Sequence, residues 1–499
     1  MTRLPAALLV ASLVAGPGAP AASAEARVER LRRDVARLAH AEMEGRRAGE
    51  PGARHAAAWL AEQFREIGLE PPLPGRDYLQ RFEFISGAEL GDSNRLAVGG
   101  RRYAPGREFR PLAFSATGRF EGSLAFAGYG IHAPSRGRDD YAALDVRGRA
   151  VLVLRYAPGW GGLDSPWQAE AALRLKADVA RERGAAALLI VTGPRTRGVG
   201  DVLVPFQTDA ALGHVGIPVV SLRRRVAEDL LYGSGLGLDE AQRLADTGAA
   251  GARRRLAVAL ELVTDLEPTL ATTSNVLGRL PGRVPETLVV GAHYDHLGRG
   301  GSGSLDPSAD GEVHHGADDN ASGTAALLEL ARALAAREEP LHRSVLFAAF
   351  GAEELGLLGS VHFVERPPLA LRQIVAMLNL DMIGRLAPRG LVVQGSETSP
   401  AWPALLEQAN RGPELRLRLL AGGAGPSDHA PFFHVGVPVL FFFTGMHGDY
   451  HRPSDTAEKI DATGISRVLS LVEAVALTVA GSDRPLPFRD PAAAAVAEP

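Results

Sequence analysis

Apolar runs that alternate with helical segments place the strongest constraint on how this chain can fold. From about residue 272 onward, four runs rich in β-branched or aromatic residues occur, and a helix is predicted over 321–337. The four runs lie at 287–290, 345–350, 374–380 and 437–443. Strands that are buried on both faces and alternate with helices form mostly parallel sheets with helices on each side. We therefore predict an α/β fold in which a mostly parallel or mixed sheet is sandwiched by helices.

The rest of the chain divides into segments of different character. A chain of 499 residues exceeds one ordinary hydrophobic core, so two domains are expected. Helical spacing predicts two helices within 25–86, the second over 53–67. Residues 87–265 instead contain short strands and turns, at 123–129, 150–155, 185–191 and 217–222, with one helix at 169–183. We interpret 87–265 as an inserted β-rich module, 266–485 as the second part of the main domain, and 486–499 as a disordered tail.

The N-terminus has the pattern of a secretory signal peptide. Arg3 precedes an apolar run at 4–15, and the small residues Ala22, Ser23 and Ala24 follow a Gly- and Pro-containing turn. A membrane anchor is the alternative, but the run is too short to span a bilayer. We predict that 1–24 is removed and that the protein is exported, to the periplasm or the medium. No later segment reaches about 20 apolar residues, so stable membrane insertion is not expected.

Composition excludes several classes of function. The formal net charge of −4 argues against a protein that binds nucleic acid through positive charge. The absence of cysteine removes disulfides, thiolate ligands and cysteine nucleophiles together. Any metal ion must therefore be held by histidine, aspartate and glutamate.

Five potential metal ligands lie on five separate segments, each at the end of a predicted strand or in the loop that follows it. They are His293, Asp319, Glu354, Asp381 and His451. In parallel sheets, ligands gather beyond the carboxyl ends of the strands. Nitrogen and carboxylate ligands together with one additional carboxylate, Glu353, are what a two-metal hydrolase requires.

Each of these residues also has an ordinary explanation. A His-x-Asp pair such as His293 and Asp295 occurs on many surfaces, although Asp295 could hold the second ring nitrogen of a histidine ligand. Asp319 precedes a predicted helix, where aspartate is a common N-cap. Asp381 is the strongest single candidate, because a carboxylate that ends an apolar strand is costly unless it is paired or ligated.

Adjacent carboxylates after the 345–350 strand permit a division of labour. One of Glu353 and Glu354 could bind metal while the other takes a proton from water and delivers it to a leaving amine. Tyr450, beside His451, could donate a hydrogen bond to a developing oxyanion.

Five other histidines compete for the ligand role: His314, His315, His429, His434 and His447. The pair His314 and His315 lies in a glycine-rich loop and is expected to be solvated. Asp428 and His429 form an adjacent pair in which Asp428 could orient a ligand histidine.

Six motifs in this order resemble peptidase family M28, the zinc exopeptidases. They are GAHYDHLG, GADDNASG, AEELG, NLDMIG, SDHAPF and YHRPSDT. EMEGRRAGEPG is similar to the N-terminal helical part of that peptidase domain, which would place 25–86 with 266–485. AFAGYGI, LDVRGRAVLVLRYAPG and RGAAALLIVTGP resemble the protease-associated (PA) domain that bacterial secreted aminopeptidases of the family carry as an insertion.

The resemblance implies a role for each site residue. One zinc ion would be bound by His293, Asp319 and Asp381, and the other by Asp319, Glu354 and His451, so that Asp319 bridges the two. Glu353 would be the general base and acid, Asp295 would orient His293, and Tyr450 would stabilise the tetrahedral intermediate. The family also implies a strained, often cis, Asp319–Asn320 peptide bond.

The predicted function is a secreted di-zinc aminopeptidase that removes N-terminal residues from peptides with a water shared by the two metals. Cobalt or manganese could replace zinc, since these ligand types constrain the metal only loosely. A carboxypeptidase or dipeptidase on the same scaffold is the alternative, with Arg385 as a possible anchor for a substrate carboxylate. A glutaminyl cyclase, or a binding protein that acts through the PA domain with a vestigial metal site, is less favoured. Side-chain specificity and oligomeric state are open at this point.

Overall fold

The chain forms two compact units in the computed structural model, which describes residues 20–491 except 160–166, 168, 207–212, 302, 310 and 387–389. Unit 1 consists of the segments Met1–Arg81 and Thr273–Pro499, and unit 2 is the segment Phe82–Thr272 between them.

The secondary structure alternates between strands and helices along most of the chain. The strands are β1 (Leu79–Leu90), β2 (Arg95–Val98), β3 (Arg101–Tyr103), β4 (Phe109–Pro111), β5 (Gly118–Ala127), β6 (His132–Ala133), β7 (Arg138–Asp139), β8 (Ala150–Leu154), β9 (Ala187–Val191), β10 (Val219–Leu222), β11 (Arg253–Thr264), β12 (Leu266–Leu280), β13 (Val284–His293), β14 (Arg343–Phe350), β15 (Ile374–Leu380), β16 (Leu391–Gln394), β17 (Leu417–Leu420) and β18 (Val439–Phe443). The α-helices are α1 (Pro20–Leu38), α2 (Pro51–Ile67), α3 (Leu173–Glu182), α4 (Arg224–Tyr232), α5 (Leu238–Asp246), α6 (Gly323–Ala335), α7 (Leu358–Glu365), α8 (Trp402–Ala409), α9 (His429–His434) and α10 (Ala462–Gly481).

Unit 1 is built on an eight-stranded mixed sheet in the order β1-β12-β14-β13-β15-β18-β16-β17. The four central strands, β14, β13, β15 and β18, run parallel, whereas β12 pairs antiparallel with β14, and β16 pairs antiparallel with β18 and parallel with β17. Every residue of β14 is buried, as expected for a strand covered on both faces. The predicted α/β fold with a mixed sheet is confirmed.

Helices cover both faces of this sheet. One face packs against α1, α2, α6, α8 and α10 in the main hydrophobic core, and the other packs against α7 and α9. Helix boundaries follow the sequence signals: α2 begins at Pro51 and ends at Gly68, which takes the left-handed conformation (φ 87°) that favours glycine.

Unit 2 has its own eight-stranded sheet, in the order β3-β2-β11-β5-β8-β9-β10-β4, and its own core. The four predicted strands correspond to β5, β8, β9 and β10, which pair in parallel. Two helices that were not predicted, α4 and α5, join α3 beside the eight-stranded sheet of this β-rich unit.

Two boundaries differ from the sequence predictions. Unit 2 spans Phe82–Thr272, whereas the predicted insertion spans 87–265; β1 crosses the first predicted boundary, and β12 begins at the second. The predicted disordered tail begins too early, since Leu486 packs against the main core, the Phe488 ring lies 5.5 Å from that of Phe433, and the Arg489 N–H donates to Thr398 O. Residues 492–499 of that tail, and residues 1–19 of the predicted signal peptide, lie outside the described residues.

One described helix, α10, is long and apolar enough to cross a membrane by length and composition, contrary to the expectation that no such segment follows the N-terminus. Its apolar residues, including Ile465, Val468 and Val472, are fully buried in the core of unit 1. A helix buried inside a protein core satisfies the same test, which explains the pattern.

Candidate metal centre

The parallel strands of unit 1 bring the five predicted ligands together at one edge of the sheet. His293 is the last residue of β13, Asp381 directly follows β15, and Glu354 lies four residues beyond β14. Asp319 occupies the turn before α6, and His451 lies in the loop after β18. Because the carboxyl ends of parallel strands meet at the same edge, residues far apart in sequence converge there.

Two sets of ligand atoms share Asp319. In the first ligand set, His293 Nε2 lies 3.3 Å from Asp319 Oδ1 and 3.3 Å from Asp381 Oδ1. In the second ligand set, His451 Nε2 lies 3.2 Å from Asp319 Oδ2 and 3.1 Å from Glu354 Oε2. Each oxygen of Asp319 therefore faces a different set.

These separations fit a zinc ion in each set. Ligand atoms about 2.05 Å from a tetrahedral zinc ion lie about 3.3 Å apart. The four measured separations, 3.1–3.3 Å, agree with that value. His451 Nε2 is also buried without a hydrogen-bond partner among the described residues, as expected for a nitrogen aimed at an ion.

Opposing charges at the site shift the pKa values of its histidines. Burial opposes protonation of His293, but the Glu353 and Asp381 carboxylates outweigh it and raise the pKa well above its usual range. Burial likewise opposes protonation of His451, whose pKa the carboxylates of Asp319 and Glu354 raise to about 10. The cluster thus has an excess of negative charge that protons or cations must balance.

Glu353 lies at the rim of the first ligand set. Its Oε2 is 4.0 Å from His293 Nε2, farther than the ligand oxygens. Burial, reinforced by the nearby carboxylates of Glu354 and Asp381, raises the pKa of Glu353 well above its usual range. A carboxylate that is close to the ligands but outside both sets can accept and return a proton.

Asp295 was predicted to orient His293, but its side chain forms no hydrogen bond with the His293 ring. His293 Nδ1 lies 3.2 Å from the backbone oxygen of Asp295 and 3.9 Å from its Oδ1. The carboxylate instead accepts the backbone N–H groups of Glu353 (3.0 Å) and Glu354 (3.4 Å). The Asp295 side chain therefore orients the backbone of the two glutamates. The prediction had relied on the alternation of side chains along a strand, but β13 ends at His293 and the alternation does not continue to Asp295.

Buried hydrogen bonds fix the carboxylate ligands. Ser427 Oγ donates to Asp381 Oδ2 at 2.8 Å. Asp455 Oδ2 accepts the backbone N–H groups of Asp318 (2.8 Å) and Asp319 (3.2 Å). The Asp319–Asn320 peptide bond is cis, as the family resemblance implied.

Arg46 is a positioning residue that the sequence did not reveal. Its fully buried guanidinium donates to the backbone oxygens of Tyr294 (2.7 Å), Gly316 (2.8 Å), His315 (2.8 Å) and Leu38 (2.6 Å). Burial lowers its pKa to about 10, so it remains a cation at neutral pH. Arg46 thus joins the loop after β13 to the turn that carries Asp319, and its charge opposes that of the site carboxylates.

Two histidines have roles that the sequence did not indicate. His296 is 1% exposed, and its Nδ1 lies 2.8 Å from Glu354 Oε1. His314 is fully buried, with Nε2 2.7 Å from Ser304 Oγ, so the prediction that it is solvated is wrong. Glycine-rich loops are usually exposed, but here the His314 N–H donates a hydrogen bond to Gly298 O, which holds this loop against the segment after β13.

The predicted pairing of Asp428 with a ligand histidine is not observed. Both carboxylate oxygens of Asp428 and both ring nitrogens of His429 are buried without hydrogen-bond partners among the described residues. The His429 ring stacks on Phe441 at 4.6 Å. Burial raises the pKa of Asp428 to about 7 and lowers that of His429 to about 3.

Tyr450 stacks on the ligand His451, with ring centroids 3.8 Å apart. Burial raises its pKa, and the carboxylates of Asp319 and Glu354 raise it further. Its hydroxyl therefore keeps its proton at neutral pH and is available as a donor.

Arg385 forms ion pairs within the protein. Its Nη2 lies 3.1 Å from Asp455 Oδ1 and 3.4 Å from Asp449 Oδ2. Asp455 Oδ2 accepts the backbone N–H groups of Asp318 and Asp319, so Arg385 supports the backbone that positions Asp319.

Comparison with known proteins places this site within a described family. Residues 275–476 match the model of Peptidase family M28. Aminopeptidase YwaD of Bacillus subtilis is 28% identical over 313 residues, which cover 60% of this chain and 58% of YwaD. The probable lipoprotein aminopeptidase LpqL of Mycobacterium tuberculosis is 26% identical over 464 residues, covering 86% of this chain and 79% of LpqL. The match thus spans less than two thirds of YwaD.

Two solved structures share the fold over nearly the whole chain. The aminopeptidase from Aneurinibacillus sp. strain AM-1 matches with a TM-score of 0.56 and 22% identity, covering 93% of this chain and 95% of that one. BSAP, a zinc aminopeptidase from Bacillus subtilis, matches with a TM-score of 0.53 and 24% identity, covering 93% of this chain and 98% of that one. The chain therefore carries a domain of peptidase family M28, and it is homologous to bacterial aminopeptidases.

Proposed function

We propose that this protein is an exported aminopeptidase that uses two zinc ions. The observation that carries the proposal is the pair of ligand sets that share Asp319 through its two oxygens. His293 and Asp381 would complete one site, and Glu354 and His451 the other. The relatives named as aminopeptidases support the reaction class.

The chain's own residues supply the proton transfers. Two bound ions would polarise the scissile carbonyl and lower the pKa of water. Glu353, which lies beside the first ligand set, accepts a proton from the attacking water and returns it to the departing amine. Tyr450 donates a hydrogen bond to the oxygen on which negative charge develops.

Arg385 favours the aminopeptidase over the carboxypeptidase alternative. A carboxypeptidase requires a cation that is free to bind the substrate's terminal carboxylate. Arg385 is instead paired with Asp449 and Asp455, and its side chain is 20% exposed. Recruiting it for a substrate would unpair the carboxylate that holds the backbone of Asp319.

We further propose that unit 2 is a PA domain and that the protein is exported. The PA assignment is supported by the independent core of unit 2 and by its three motifs. Export is supported by the signal-peptide pattern in 1–24 and by the lipoprotein relative.

One substrate pair tests the reaction class. Zinc-loaded protein is given a leucyl dipeptide with a free amino terminus and the same compound N-acetylated. We expect hydrolysis of the free form alone, abolished by a chelator. Preference for the blocked form would instead establish a carboxypeptidase or dipeptidase, and no turnover of either would support the binding-protein alternative.

A further inference from the structure

Each carboxylate oxygen of Glu354 lies close to a different histidine nitrogen, and only one of the two histidines, His451, belongs to the ligand sets. Its Oε2 lies 3.1 Å from His451 Nε2, and its Oε1 lies 2.8 Å from His296 Nδ1. The rings of His451 and His296 are nearly perpendicular, with centroids 5.7 Å apart. The two oxygens of Glu354 therefore have different partners.

The geometry points to His296 as a positioning residue that fixes Glu354 as a one-oxygen ligand of the second ion. This inference rests on the proposed metal centre. By donating from Nδ1 to Oε1, His296 leaves only Oε2 directed toward Asp319 and His451. Histidine and carboxylate partners that orient a ligand in this way contribute strongly to metal affinity.

The distances favour this role over direct ligation. Two atoms bound to one tetrahedral zinc ion lie about 3.3 Å apart. His296 Nδ1 is 2.8 Å from Glu354 Oε1, which is a hydrogen-bond distance, and 3.8 Å from Asp319 Oδ2, which is longer than the 3.1–3.3 Å separations within the two ligand sets. His296 Nε2 faces no hydrogen-bond partner among the described residues, so Nδ1 is the nitrogen that acts on the site.

The ring of His296 is clamped in this orientation. A Cβ atom on Gly316 would lie 2.5 Å from Cγ and Cδ2 of the ring, so the imidazole packs directly against the glycine backbone. Gly316 itself takes the left-handed conformation (φ 55°). His296 is 1% exposed, and water therefore does not compete for its hydrogen bond with Glu354.

Two substitutions separate the hydrogen bond from the imidazole. His296→Leu removes the donor, whereas His296→Asn places an amide N–H close to the position of Nδ1. His429→Leu is the matched control, because His429 is equally buried and lies outside both ligand sets. Circular dichroism of the chelator-stripped proteins confirms that each variant is folded.

The readouts are cobalt affinity and the visible absorption of bound cobalt, which responds to the number of ligand atoms. We expect wild-type protein and His429→Leu to bind two ions per chain. His296→Leu should lower the affinity for the second cobalt ion by about 10–100-fold and change the visible absorption of bound cobalt. His296→Asn should restore most of that affinity.

Three results would overturn the inference, and they differ from a failure of the metal centre itself. Wild-type affinity and spectrum in His296→Leu would show that the hydrogen bond does not position Glu354. Loss of one ion from both His296→Leu and His296→Asn would make His296 a ligand. Equal weakening by His429→Leu would mean that any buried substitution has the effect. If wild-type protein fails to bind two ions, the proposed metal centre fails instead.

Discussion

Replacement of Arg46 by methionine tests whether one buried cation supports the site. Methionine retains much of the apolar stem but removes the charge and all four hydrogen bonds to backbone oxygens. Gly316 O also accepts a hydrogen bond from the Ala321 N–H and would keep that donor. The substitution would therefore remove the donor from three carbonyl oxygens, those of Leu38, Tyr294 and His315.

The expected loss of stability is large for a single substitution. Each buried carbonyl left without a donor costs about 1–3 kcal/mol. Three such groups give about 3–9 kcal/mol, and local relaxation favours the lower end of that range. A loss of about 3 kcal/mol lowers the melting temperature of a unit of this size by about 5 °C.

Arg47 provides the matched control. Its Nη1 reaches Leu297 O and Gly300 O at 3.4 and 3.3 Å, close to the limit for hydrogen bonds, and its Nε lies 3.8 Å from Oε1 of the exposed Glu50. Arg47→Met should therefore cost less than Arg46→Met, because surface ion pairs contribute little to stability. The assay is thermal unfolding of the chelator-stripped proteins, with cobalt affinity as a second readout. Equal melting temperatures for Arg46→Met and wild-type protein would refute the role assigned to Arg46.

Three further predictions address the chemistry of the site. Glu353→Gln should retain two ions but lose at least about 100-fold in kcat, whereas the exposed Glu312→Gln should not; wild-type turnover by Glu353→Gln would disprove the proton-transfer role. Gly316→Ala should reduce metal affinity sharply, because the new Cβ would lie 2.2 Å from the backbone oxygen of Asp319. Gly311→Ala is the control, since Gly311 also has a positive φ but has open space where the Cβ would lie. Equal effects of the two substitutions would show that backbone strain, and not the contact with Asp319, lowers the affinity. The pKa of His451 is about 10 despite burial, so below pH 10 an ion that binds to Nε2 must displace a proton. The zinc affinity of the stripped protein should therefore fall by up to about tenfold for each pH unit between pH 8.5 and 6.5. An affinity that does not change with pH would contradict this prediction.

The fold and the convergence of the five predicted ligand residues could be predicted because both depend on local pattern. The apolar run 374–380 coincides with β15, and the carboxylate that directly follows it, Asp381, lies in the first ligand set. Parallel strands place their carboxyl ends together, so residues that are distant in sequence could be assigned to one site. His293, Asp319, Glu354 and His451 follow the same logic.

The residues that the sequence did not indicate act across long sequence separations or through the backbone. Arg46 binds carbonyl oxygens about 250 residues away, and a backbone acceptor leaves no residue type to recognise. His296 contacts Glu354 only because the chain turns after β13, where strand alternation no longer predicts which side chains face the site. The same turn explains why Asp295 contacts the glutamates instead of His293.

The number of metal ions bound per chain tests the central claim most directly. The protein is stripped with a chelator, reloaded with zinc, freed of excess metal and measured by elemental analysis against protein concentration. Two ions per chain are expected, because each oxygen of Asp319 faces a complete ligand set. One ion or none would contradict the shared role of Asp319 and the two-metal chemistry derived from it.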